Sequence, residues 1–147
     1  MSATNLAPML RHPELKRLYG KWSDLRGEGE IPMAVDLDPA VLRPWLSHLV
    51  VINVEDDGRF IYSFYSTEYA ELFNGDRVGQ SIDTLPASQR DLLKREYEQV
   101  CLEQLPVSRV YTGSFGGEEQ IWERLVLPFL SRDGEVTKLM VAAYRLS

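Results

Sequence analysis

Three tight turns constrain what this chain can fold into. Asp57-Gly58, Gly116-Gly117 and Asp133-Gly134 each lie between two apolar runs, most of them alternating apolar with polar residues. Such pairs supply the positive φ that a short hairpin needs, so each turn joins two neighbouring antiparallel strands. The strands read as residues 49–54, 60–65, 107–115, 120–130 and 136–146. No parallel crossover is implied, so the sheet is antiparallel. A lone two-stranded hairpin cannot stand by itself in water. The first hairpin therefore joins the later three-stranded meander, and the helical stretch between them crosses the sheet face. The expected fold class is α+β: a five-stranded antiparallel sheet with helices over one face and an N-terminal amphipathic helix.

Residues 1–11 read as a flexible leader and 12–147 as a single domain, which the length of 147 residues fits. Pro13 suits the first turn of the N-terminal helix, and Leu15, Leu18, Trp22 and Leu25 fall on one stripe before Gly27 and Gly29 end it. That stripe either caps the core or forms the seam of a homodimer. Asp38 caps, and Pro39 opens, a short helix over 39–46 that turns Val41, Leu42, Trp45 and Leu46 inward. Asp36 and Asp38 read as capping chemistry, not as a metal pair. Thr67 or Ser66 starts a short helix through Phe73. Ser88 with Asp91 three residues on is a capping-box variant, starting a helix to about Leu105 with Leu93, Tyr97, Val100, Cys101 and Gln104 on one face.

Charge and composition exclude several classes. A net charge of −6 with no basic run is unsuited to nucleic acid. The apolar runs are too short to span a bilayer, and no basic-then-apolar leader opens the sequence, so a cytoplasmic protein with no membrane partner is expected. A single cysteine, Cys101, permits no internal disulfide and suits a reducing compartment.

The order of elements, taken with Leu18-Tyr19 to Trp22 and Arg26, Ile31-Pro32, Asp36-x-Asp38-Pro39, Leu46 leading to 49–54, Phe60-Ile61-Tyr62, Thr67, Gly79 and Leu125-x-Leu127-Pro128-Phe129 followed by Asp133-Gly134, resembles a bacterial family of PAS domains. The likeness covers nearly everything after residue 12. It implies signal sensing, with a small ligand or a signalling protein as partner and output through another chain. The second strand ends Phe64-Tyr65-Ser66-Thr67, without the glycine and arginine that the family shows there, so a ligand contact through that arginine is not expected.

The resemblance does not name a cofactor, which stays unknown. Photochemical flavin is disfavoured because Glu71-Leu72-Phe73-Asn74 stands where flavin-binding relatives carry a reactive cysteine. Haem is disfavoured because His12 and His48 lie outside the helices that would present an axial ligand, and zinc because one cysteine and two separated histidines make no ligand set. Both histidines read as structural or surface residues, and Cys101 as inert packing.

The candidate ligand pocket is an aromatic set: Tyr62, Phe64, Tyr69, Phe73, Tyr97, Tyr111, Trp122, Phe129 and Tyr144, with Arg124 mid-strand among apolar neighbours. Its side chains either fill a core or face an enclosed space. No phosphate loop and no Gly-x-Ser-x-Gly elbow occurs, and no catalytic residue is assigned. Two other readings stay open. One is a small cavity-containing isomerase or hydrolase, for which Glu96 and Glu123 are the available mid-element carboxylates. The other is a ligand-free interaction scaffold.

Overall fold

Alternating apolar residues and the three glycine turns produce one antiparallel sheet in the computed structural model, with strand order β2-β1-β5-β4-β3. The strands are β1 (Leu49–Val54), β2 (Phe60–Tyr65), β3 (Val107–Phe115), β4 (Glu118–Leu130) and β5 (Val136–Arg145). The helices are α1 (Pro13–Leu25), α2 (Thr67–Leu72) and α3 (Ala87–Glu103). The structure describes residues 7–26, 31–72, 75–115 and 117–147. The expected α+β class and five-stranded antiparallel sheet are what the chain forms. The last strand in sequence, β5, is the middle strand in space, paired with β1 on one side and β4 on the other.

Both faces of this sheet are covered. Alternation along β5 sends Met140, Ala142 and Tyr144 to one face and Leu139 and Val141 to the other. Leu15, Leu18 and Trp22 of α1 pack on the first face with Leu125, Leu127 and Phe129 of β4. Leu93, Tyr97 and Val100 of α3 pack on the second with Phe60, Tyr62 and Val126, and Ala70 of α2 packs against them. Each fully buried large apolar side chain contributes roughly 1.5–3 kcal/mol of burial energy, so both layers are needed to hold the sheet.

The α1 stripe is thus spent on the chain's own core. Leu15 and Leu18 are fully buried, and Trp22, nearly so, donates its indole N–H to the Pro128 carbonyl at 3.0 Å. Leu25 is half-buried at the end of the stripe. A homodimer seam made of Leu15, Leu18 and Trp22 does not fit this placement, because those side chains would have to leave an apolar core to meet a second copy. Gly27 and Gly29 lie outside the described residues.

The boundary expected at residue 11 also moves. Residues 1–6 lie outside the described residues, but Leu10 is buried and the Arg11 and His12 backbone N–H groups bond the Glu123 carboxylate. The end of the supposed leader is therefore docked on β4 and is not loose. The helix expected over 39–46 is replaced by turns and a 3-10 helix over Arg43–His48. Pro44 has no N–H for an α-helical bond, and its ring would strike the carbonyl four residues back. Asp38 still caps, accepting the Ala40 N–H at 2.9 Å. The box expected at Ser88 is not used, since α3 starts at Ala87 after Pro86 with no side-chain cap.

One irregularity redistributes the aromatic residues of β2. The β1–β2 register slips between Val51 and Ile52: Val51 faces Phe64 while Ile52 faces Tyr62, leaving Ser63 as the extra residue of a bulge. Strict alternation would keep Phe60, Tyr62 and Phe64 together. The bulge instead turns Tyr65 to the α3 face beside Tyr62 and sends Phe64 to the other side.

Candidate functional site

A salt bridge on the α3 face organises the candidate site. Glu96 stands three residues after Leu93 and four before Val100, so the helical repeat that buries α3 also buries this carboxylate. Its side chain is 3% exposed. One oxygen accepts from Arg124 Nε at 3.2 Å and Nη2 at 2.8 Å, and the other accepts from Arg109 Nε at 2.9 Å. Register explains why two arginines meet one carboxylate. Arg109 of β3 is directly opposite Arg124 of β4, so both leave the sheet on the same face at the same height.

Tyrosines surround this group. The Arg124 guanidinium lies 5.3 Å from the Tyr111 ring centroid, close enough for cation–π attraction. Trp122, next along β4 on that face, sits opposite Tyr111 and gives its indole N–H to Gln120 at 2.9 Å. Burial raises the Tyr62 hydroxyl to about 12, and the charge of Arg124 is close enough to oppose that shift. Burial also pushes the Tyr97 and Tyr111 hydroxyls up, again with Arg124 opposing. All three remain neutral hydrogen-bonding groups at ordinary pH.

Of the expected pocket residues, the structure thus brings Tyr62, Tyr97, Tyr111, Trp122 and Arg124 to one face. Phe129 and Tyr144 lie on the opposite face in the α1 core, because their strand positions have the other parity. Phe64, displaced by the bulge, lines an open groove of about 370 Å³ with Arg43, Leu46, Ser47 and the start of α2. Tyr69 lies on α2, and Phe73 lies outside the described residues. Sequence reasoning missed Arg109 and Tyr65 and did not place Glu96.

The histidines pack together on the other face. His12 caps α1, its Nδ1 accepting the Glu14 N–H at 3.1 Å, and its ring centroid is 4.5 Å from that of Tyr144. His48 stacks on Tyr144 at 4.0 Å and bonds the Ala143 carbonyl. The Tyr144 hydroxyl is buried without a hydrogen-bond partner. Burial, helped by the nearby Glu98 carboxylate, pushes the half-buried Cys101 thiol up to about 11, which favours the neutral thiol over the thiolate.

As candidate acid–base groups, Glu96 and Glu123 are both buried and both engaged, the first by two guanidinium groups and the second by three backbone N–H bonds. Among the described residues no group of three His, Cys, Asp or Glu side chains is placed to hold a metal ion, and no helix is long and apolar enough to cross a membrane.

Residues 10–143 match the family model of the PAS domain. This chain belongs to the PAS domain family. PAS domains are sensory modules that typically bind ligands and signal. Among solved structures, this PAS domain is similar to VqmA of Vibrio cholerae, at 13% identity and a TM-score of 0.59 over 76% of this chain and 51% of that one. It is also similar to a sensory box histidine kinase of Vibrio cholerae, at 18% identity and a TM-score of 0.56 over 74% of this chain and 88% of that one. The blue-light photoreceptor domain Aureochrome1 LOV matches at 11% identity and a TM-score of 0.50 over 76% of this chain and 89% of that one. At these identities the likeness is one of fold. This chain spans about half the length of VqmA. No curated protein matches it in sequence.

Proposed function

We propose that this PAS domain is a non-catalytic sensory module that takes a small, partly apolar ligand at the α3 face and passes the signal to another chain as a homodimer. The observation that carries the reading is the polar island formed by Glu96, Arg124 and Arg109 among Tyr62, Tyr97 and Tyr111. A buried ion pair contributes little net stability, because desolvation offsets most of the attraction, and apolar residues of the same volume would serve a core as well. Its presence under α3, together with three neutral hydroxyls, fits ligand orientation better than packing. VqmA is described bound to DPO, as a dimer in the absence of its target DNA, and in a complex with ligand and DNA. The ligand-binding part of that comparison is what we carry over, since a net charge of −6 is unsuited to DNA. For a second copy, the apolar residues left exposed on the uncovered end of the α1 face are Val110 and Ile121, at 40% and 39% exposure.

Native mass spectrometry of the purified protein, compared with its denatured mass, tests this reading. An adduct lost on denaturation supports it, and the same spectrum reports the dimer. An apo spectrum combined with no thermal shift across a ligand library overturns it.

A further inference from the structure

Two guanidinium groups share the Glu96 carboxylate, and they are not equally engaged. The Arg124 side chain is 9% exposed, two of its nitrogens bond Glu96, and its plane lies by Tyr111. Arg109 differs. Its side chain is 45% exposed, and it bonds Glu96 through Nε alone. Its two terminal amino groups have no protein acceptor among the described residues.

This geometry has a chemical meaning. An arginine held by Nε–H to a buried acceptor has already lost much of its side-chain freedom, so its outer fork is aimed before any ligand arrives. A planar pair of N–H donors matches the two oxygens of a carboxylate. Tyr111 lies two residues along β3 on the same face, with Trp122 opposite it, so a flat apolar group attached to the carboxylate would have an aromatic neighbour. We infer that the seam between α3 and β3 is a carboxylate subsite, in which Arg109 contacts a small aromatic acid while Glu96 and Arg124 only position Arg109. This inference rests on the reading of the α3 face as the ligand face, and it names the ligand class and the contacting residue.

Calorimetric titration of the full chain with benzoate tests it, with benzamide as the uncharged isostere, inorganic phosphate as a non-planar anion, and Arg109→Gln and Arg90→Gln as variants. Arg90 is a surface cation of α3 and controls for net charge. Saturable benzoate binding is expected, weakened about tenfold or more in Arg109→Gln as befits loss of a charge-assisted bond, and unchanged in Arg90→Gln. Benzamide and phosphate are expected to bind more weakly than benzoate. Benzoate binding that survives Arg109→Gln overturns the inference, as does phosphate binding equal to benzoate. Failure of benzoate to bind overturns it too. If native mass spectrometry then still shows an adduct, the ligand reading of the α3 face stands without the carboxylate. If it shows none, and no ligand in the library shifts the melting temperature, both fall.

Discussion

The two faces of the sheet each bury one carboxylate, and they satisfy it by different means. On the α1 face Glu123 accepts three N–H bonds from the Arg11 and His12 backbone. On the α3 face Glu96 is held by two arginine side chains, one of them half-exposed. Backbone donors just ahead of a helix are fixed by the fold and need an acceptor in any case, so Glu123 works as a fastening. Guanidinium groups on strands have no such obligation. They bring their own desolvation cost. The same residue type, buried to a similar depth, is held by the backbone on one face and by side chains on the other.

The sharpest way to break this comparison is Glu96→Leu. It strands Arg124 in an apolar layer and is expected to cost about 3–5 kcal/mol in urea unfolding, whereas Glu96→Leu with Arg124→Met should recover most of that loss. If the double variant stays as unstable as the single one, the pair is structural after all. Glu123→Ala should cost less, about 1–3 kcal/mol, since water can reach some of the released N–H groups. Its mark is local: hydrogen exchange should quicken at Arg11 and His12 and stay unchanged along α3. Tyr144→Phe removes a buried hydroxyl that has no partner and should raise stability by up to about 1 kcal/mol, read in the same unfolding experiment.

The smallest effect is a pH dependence confined to the α1 face. Burial lowers the His12 imidazole from its ordinary 6.5, against the pull of Glu14 and Glu123 and with a small push from His48. The unfolded chain therefore binds the proton first, so this contribution is complete above 6.5 and is lost as the pH falls below it. Protonation also removes the Nδ1 lone pair that caps α1. Comparing urea midpoints at about pH 7.5 and about pH 5.5 should show a smaller drop for His12→Asn, which caps without titrating. An equal drop in both proteins would assign the acid sensitivity to other groups.

The sheet was readable from the sequence because glycine turns and alternation are local signals. The failures came where a local rule met a non-local constraint. Strict alternation keeps Phe64 with Tyr62, but a one-residue bulge reverses it, and nothing in Phe-Ile-Tyr-Ser-Phe-Tyr announces the bulge. Phe129 and Tyr144 were gathered with Tyr97 because aromatic character was counted without strand parity, which by itself separates Phe129 from Trp122 and Arg124. Glu96 and Arg109 were within reach. The spacing Leu93, Glu96, Tyr97, Val100 is one helical stripe, and counting outward from the Gly116-Gly117 turn sets Arg109 opposite Arg124. Charged residues are seldom fully buried unless paired, so composition alone points both to the surface.

The central position of β5 has a consequence for the order of assembly. As the chain leaves the ribosome, β1 with β2 and β3 with β4 can form two separate hairpins, neither of which is stable alone. Only β5 hydrogen-bonds both, so the two halves share no sheet until residues 136–145 have emerged. Commitment to the fold therefore waits for the last strand of this domain, and a nascent chain stopped at the Asp133-Gly134 turn would present open strand edges to chaperones and to its neighbours.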